Sequence, residues 1–401
     1  VNLALDVARK IKAGTIWINS TNVFDAAAGF GGYRESGYGR EGGREGLYEY
    51  LRPAGEAAHA DHTNETAGPA ANGNGHKRAQ RSASIATSQR ATNGVAHPRP
   101  DTNGDALDGD EEVDSSWFPP IDRTPKLFIG GKQARPDSGY SRVVYGVRGE
   151  RLGEVGEGNR KDIRNAVEAA HAAEAGWSGA TAHNRAQILY YIAENLSVRA
   201  SEFAARIAAM TGREVADAER EVERSIERLF TYGAWADKYD GQIHTTPIRG
   251  MTLAVPEPIG ALGLICPEEY PLLGFVSLVA PAIAMGNTVV AVPSERHPLS
   301  ATDLYAVLET SDVPVGVVNI VTGPRATLAK VLAEHDDVDA VWSFGPREEA
   351  RAVEAASIGN MKRTWVSDGQ PRAWMSREQG EGQEFLREAT QVKNIWVPVG
   401  E

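Results

Sequence analysis

From Pro258 onward, apolar β-rich runs alternate with helical segments, and this alternation restricts the fold more than any other feature of the chain. The runs are Ala261 to Ile265, Thr288 to Val292, Val317 to Val321 and Ala340 to Ser343. The segments between and after them open near Pro271, Ser300, Arg325 and Pro346. Strands joined through helices take right-handed crossovers, which set the strands parallel and cover both sheet faces with helices. The spacing therefore predicts an α/β fold with a Rossmann-like parallel sheet. Ser300 with Asp303 three residues on reads as a capping box for one of these helices.

Upstream, the segment Lys126 to Ala134 reads as a hairpin turning at Gly130-Gly131. Three helical stripes follow, carried by Ile188, Ile192 and Leu196, by Phe203, Ile207 and Met210, and by Val222, Ile226, Leu229 and Phe230. Each suits a core face. A hairpin over Gly241 to Thr246 and Thr252 to Pro256, with an alternating strand at Gln391 to Pro398, reads as a small antiparallel sheet.

Ala54 to Ser116 contains no Phe, Trp or Tyr and too little apolar surface to offset the entropy of ordering, so a disordered linker is expected over 54–116. Its basic residues, Lys77 to Arg99, precede an acidic run from Asp101 to Asp114, a pattern that suits a solvated spacer. Residues 1–53 hold a helix with Leu3, Val7, Ala8 and Ile11 on one face, a strand from Thr15 to Asn19, and the glycine-rich run Gly29 to Gly46. That unit is too short to fold alone. Val1 lies inside the helix, which reads as a chain truncated at its N-terminus.

With a formal charge of −12 over 401 residues, the chain is a poor partner for nucleic acid or an anionic membrane. The longest apolar stretch, Phe275 to Met285, is too short to span a bilayer and contains Pro281. A single cysteine, Cys266, excludes an internal disulfide, and no Cys/His cluster has zinc-ligand spacing, so a reducing cytoplasmic setting without a metal is expected.

Several stretches resemble the aldehyde dehydrogenases. Gly14-Thr15-Ile16-Trp17-Ile18-Asn19 is similar to that family's GTVWVN strand, and Gly29-Phe30-Gly31-Gly32-Tyr33-Arg34-Glu35-Ser36-Gly37-Tyr38-Gly39-Arg40 to its PFGGYKxSGxGRE segment. Glu257-Pro258-Ile259-Gly260, Met285-Gly286-Asn287-Thr288-Val289-Val290 and Val318-Asn319-Ile320-Val321-Thr322-Gly323 resemble EPVG, AGNTVV and VNVVTG. A C-terminal segment thus precedes a second start. That order resembles the two-domain, family sixteen type, with a C-terminal tail at 1–53, a linker at 54–116 and a degenerate domain at 117–401.

The resemblance also says what is missing. The family attacks its aldehyde with a cysteine thiolate, holds the oxyanion with an amide, activates water with a glutamate and passes a hydride to nicotinamide. Where PWNFPLL would stand, the chain has Pro267-Glu268-Glu269-Tyr270-Pro271-Leu272-Leu273, so Glu269 takes the oxyanion position. A carboxylate repels the developing charge, and one lost donor costs roughly 10²–10³-fold in rate. Ser367 takes the general-base position, and Cys266 reads as a small buried residue before Pro267. In the cofactor half, Val292 replaces a lysine, Glu295 could still accept a ribose hydroxyl, and Gly345 stands in the turn before Pro346 as a vestigial contact. Phe24 matches a position lining the aldehyde tunnel.

The resemblance therefore implies the C-terminal portion of an NAD(P)-dependent aldehyde dehydrogenase carrying a non-catalytic assembly domain. NAD or NADP would serve the parent and none this portion. Its partners would be the missing N-terminal catalytic part and further copies of itself. Rival readings are a nucleotide or small-molecule binding regulatory module and a weakly active dehydrogenase.

Overall fold

The computed structural model describes residues 2–51, 124–246 and 250–398. The expected linker at 54–116 lies outside the described residues. Residues on either side of it fall in one compact unit.

Helix α1 (Asn2–Lys10) leads into strand β1 (Thr15–Trp17), and α2 (Gly43–Tyr48) follows the glycine-rich run. The hairpin read from its glycines is present as β2 (Leu127–Ile129) and β3 (Lys132–Ala134). Gly130 and Gly131 both have positive φ, as a tight turn of this kind requires. A second hairpin, β4 (Ser141–Tyr145) and β5 (Arg151–Gly156), has no counterpart in the sequence expectation. Four helices follow: α3 (Arg160–Ser178), α4 (Ala182–Val198), α5 (Ala200–Thr211) and α6 (Val215–Trp235). Asn159 and Asp162 close a reciprocal capping box at the start of α3. The predicted stripes are buried, except that Ile226 is half-buried and Phe230 is exposed.

The chain then forms β6 (Gln242–Thr245) and β7 (Gly250–Pro258) before the alternating region begins. There, β8 (Ala261–Ile265), α7 (Pro271–Ala284), β9 (Thr288–Val292), α8 (Leu299–Glu309), β10 (Val318–Ile320), α9 (Arg325–Glu334), β11 (Ala340–Ser343), α10 (Arg347–Ser357) and β12 (Arg363–Val366) succeed one another. Short helices α11 (Arg377–Gly380) and α12 (Gln383–Glu388) lead to β13 (Thr390–Pro398).

The expected capping box at Ser300 and Asp303 does not form. Helix α8 begins at Leu299 after Pro298, which puts Ser300 inside the first turn, where its hydroxyl is buried without a partner. Asp303 instead meets Arg206 at 2.9 Å.

One sheet has the order β12-β11-β8-β9-β10-β2-β3, parallel from β12 to β10 with the β2–β3 hairpin added antiparallel at the edge. It is therefore mixed at that edge rather than wholly parallel. Alternation along each strand divides two cores. Leu262, Leu264, Val289 and Ala291 join the α7 core, while Ala261, Ile265, Val290 and Val292 join the core under α3 and α9. Helices thus cover both faces. None of the helices among the described residues is long and apolar enough to cross a membrane.

A second sheet has the order β1-β13-β7-β6. Strand β13 runs antiparallel to β7 from Thr390 against Pro258 to Pro398 against Gly250. On its other side it runs parallel to β1, with Thr15, Ile16 and Trp17 opposite Asn394, Ile395 and Trp396.

Candidate functional site

The sheet order fixes where a ligand would enter. From β8 the chain moves out to β9 and β10, then crosses to the other side of β8 for β11 and β12. Open α/β sheets bind ligands beyond the carboxyl ends of the strands at such a reversal. A cavity of about 260 Å³ lies there, lined by Glu268 and Glu269 after β8, Phe344 and Gly345 after β11, and Ser367 after β12.

Three of the predicted positions, Glu269, Gly345 and Ser367, are thus brought together. Glu269 is exposed at the mouth. The Ser367 hydroxyl donates to the Gly345 carbonyl at 3.3 Å, which tethers β12's exit to the turn after β11. Gly345 has no space for a side chain, because a Cβ would fall 2.4 Å from Glu349 Oε1 and 2.5 Å from Arg325 Nη2.

Arg325 was not among the expected site residues. It is the first residue of α9 and only 5% exposed, and its guanidinium spans the crevice from one strand end to the other. One Nη donates to the Cys266 carbonyl, and the other donates to the Phe344 carbonyl at 3.0 Å. Nε and Nη2 donate to Glu349 at 2.8 and 2.9 Å, a bidentate pair. Ser343 Oγ completes the Glu349 set at 2.9 Å.

Glu295, expected as a ribose acceptor, is engaged within the chain. Its carboxylate accepts the Arg325 backbone N–H at 2.8 Å and so caps α9, which is where a free helix end would otherwise draw an acceptor. Glu268, also unforeseen, accepts from Ser294 Oγ at 2.5 Å and from the backbone of Glu295 and Arg296 at 3.0 and 3.1 Å. Cys266 is 1% exposed, and burial pushes its thiol up to about 12, out of nucleophilic range at neutral pH.

Across the crevice, residues 367–389 seal the sheet end. Arg372 lies 5.5, 5.2 and 5.0 Å from the rings of Phe344, Trp365 and Phe385, while Arg228 donates to Ser277 and to the Trp374 carbonyl.

Phe24 is not part of this site. It is 53% exposed, packs edge-on against Trp17 and Phe30 at 5.7 and 4.9 Å, and lines a separate cavity of about 480 Å³ with Glu41 and Trp396. That cavity lies beside the seam between β1 and β13.

The seam is clamped by buried polar groups. Lys393, 2% exposed, reaches Glu257 at 2.7 Å and the Arg9 carbonyl at the end of α1 at 3.0 Å. Arg40 Nε donates to the Val392 carbonyl at 2.9 Å, and Asn394 donates to Glu45 at 2.9 Å. Burial raises the Glu257 carboxyl above its ordinary range, against the opposing pull of Lys393.

With this geometry in hand, the aldehyde dehydrogenase family model matches residues 1–54 and 134–374, well over half of the chain. The chain belongs to the aldehyde dehydrogenase family. It is 33% identical over 241 residues to a betaine aldehyde dehydrogenase of Bacillus subtilis, covering 59% of this chain and 49% of that protein. With retinaldehyde dehydrogenase 3 of Rattus norvegicus the identity is 34% over 250 residues, covering 61% and 49%. Among solved aldehyde dehydrogenases, one from Pseudomonas syringae complexed with NAD+ and octanal superposes with a TM-score of 0.57 at 32% identity, covering 61% of this chain and 50% of that one. A betaine aldehyde dehydrogenase from Staphylococcus aureus in complex with NAD+ gives 0.58 at 25% identity, covering 60% and 49%. The chain spans about half the length of the curated relatives it matches.

Proposed function

We propose that this chain is the C-terminal portion of an NAD(P)-dependent aldehyde dehydrogenase, cytoplasmic, in which residues 117–401 form a non-catalytic unit completing the sheet of a catalytic unit whose tail is residues 1–53. The linker at 54–116 joins the two. The observation that carries this reading is the parallel pairing of β1 with β13, clamped by Lys393, Arg40 and Asn394. A strand edge left open is an association hazard, and an added strand supplies its backbone partners.

Catalysis by the second unit is disfavoured by its residues. Glu269 and Ser367 take the family's oxyanion and general-base positions, and Cys266 is buried as a neutral thiol. The nicotinamide cofactor then belongs to the catalytic unit. Support for a catalytic partner comes from α1, whose predicted apolar face is turned outward: Leu3, Val7 and Ile11 are exposed and only Ala8 is buried. The other edge of β1 has no partner strand among the described residues. A helix face and a strand edge left open together suit the remainder of the first unit, and copies of the assembled protein would form the oligomer.

Deleting residues 391–398 tests the reading. In this chain the deletion should free residues 2–51 to limited proteolysis, and in the longer protein it should reduce solubility and aldehyde oxidation together. Unchanged protection of 2–51 and unchanged turnover would refute the assembly role.

A further inference from the structure

We infer that the nucleotide crevice of the second unit is filled by the protein itself, with the Arg325–Glu349 pair lying where a dinucleotide would cross the strand ends. The inference extends the non-catalytic reading to the cofactor and does not depend on the assembly role of β13.

The reversal point between β8 and β11 is where the fold offers a ligand its entrance. At that point the Cys266 and Phe344 carbonyls mark the two strand ends, and the Arg325 guanidinium bonds to both. A ligand threading between them must displace a 5% exposed cation that also holds Glu349 through two hydrogen bonds. The backbone turn at Gly345, directly after β11, is covered by the same two groups.

Charge adds to the blockade. A diphosphate seeks a helix N-terminus with free N–H groups. At α10 the residue before the helix is Pro346, and Glu348 and Glu349 stand in the first turn. At α9 the first N–H is already taken by Glu295, and Glu268 holds the turn after β9. Both helix ends facing the crevice are therefore provided with carboxylates of the chain. The cavity that remains, about 260 Å³, falls below the ~300–1,000 Å³ of sites that enclose larger ligands. The residues present do not fit a dinucleotide.

Sequence alone directed attention to Pro346 and Val292. The geometry points to Arg325 as the group that closes the crevice, with Glu349 holding it in place.

Isothermal titration calorimetry on the 401-residue chain with NAD+ and with ADP-ribose tests this. Wild type should show no saturable binding of either. The double variant Arg325→Gly/Glu349→Ser, which removes the pair together and leaves Glu268 held by Ser294 and the backbone of Glu295 and Arg296, should bind ADP-ribose saturably, at least about tenfold more tightly than the weakest binding the titration resolves. Micromolar binding of NAD+ by wild type overturns the inference. So does a folded double variant that binds no better. Should that variant fail to fold, the milder Arg325→Ala/Glu349→Gln, matched to wild type in melting temperature, takes its place under the same criteria. Either result leaves the deletion test of β13 standing on its own.

Discussion

Arg325 and Lys393 are both buried cations bonded to backbone carbonyls and carboxylates, yet they act on opposite scales. Arg325 bonds within the Rossmann sheet, joining two neighbouring strand ends through Cys266 and Phe344. Lys393 bonds across the molecule, from the last strand to the end of the first helix. The same chemistry closes a crevice in one region and joins two segments in the other. What decides the outcome is whether the partners come from one sheet or from two parts of the chain.

The largest effect is expected at the seam. Lys393→Ala removes a cation and leaves Glu257 without its partner, a change that typically costs ~3–5 kcal/mol when the charge is buried. Urea denaturation should show it, together with earlier proteolysis within residues 2–51. A loss under about 1 kcal/mol would show that the seam is held without Lys393, by strand pairing and the bonds of Arg40 and Asn394.

In the crevice, Glu349→Gln keeps an acceptor for Arg325 but removes its charge, so ~2 kcal/mol is expected. The variant should leave residues 2–51 as protected as in wild type. Concurrent exposure of that segment would mean that the two regions are coupled and the contrast fails.

Lys362 offers a third buried cation, bonded to the Leu332 and His335 carbonyls, with Asp336, Asp337, Asp339 and Arg34 as its charged neighbours. Burial lowers its pKa from 10.5 to about 8. Between those values the unfolded chain holds the extra proton, so this group makes stability rise with pH from about 8 to about 10.5. Melting curves of wild type and Lys362→Met across that range should diverge in wild type's favour. Parallel curves would remove Lys362 from the comparison.

The smallest effect is expected at Glu269→Asn. The side chain is exposed, so stability should stay within ~0.5 kcal/mol. Restoring the family's amide should also produce no aldehyde-dependent NADH in this chain, since Cys266 and Ser367 remain as they are. Any such activity in a spectrophotometric assay would overturn the non-catalytic reading.

The alternating core was legible because β8, β9, β10 and β11 are apolar runs of the right length, and hydrophobic period is set locally. Strand β12 was not: Arg363-Thr364-Trp365-Val366 is short and half polar, and becomes a strand through pairing with β11. The β4–β5 hairpin escaped for a different reason, since its turn lacks an adjacent pair of glycines and its apolar residues do not alternate. At the site, Glu269, Gly345 and Ser367 were legible through resemblance and do share one cavity. Arg325 was not, because its meaning depends on contacts 59 and 19 residues away. The available signal was an arginine opening a helix just after a strand end at the sheet's reversal. The bond of Glu295 to that same arginine was not legible either, since it joins residues 30 apart in the chain.

The seam also has a consequence in time. Lys393 and Arg9 are 384 residues apart in the chain. At synthesis rates of ~5–20 residues per second, residues 2–51 wait roughly 20–80 s for the strand that clamps them. During that interval the edge of β1 that β13 will fill has no backbone partner, the window in which a nascent chain most needs a chaperone.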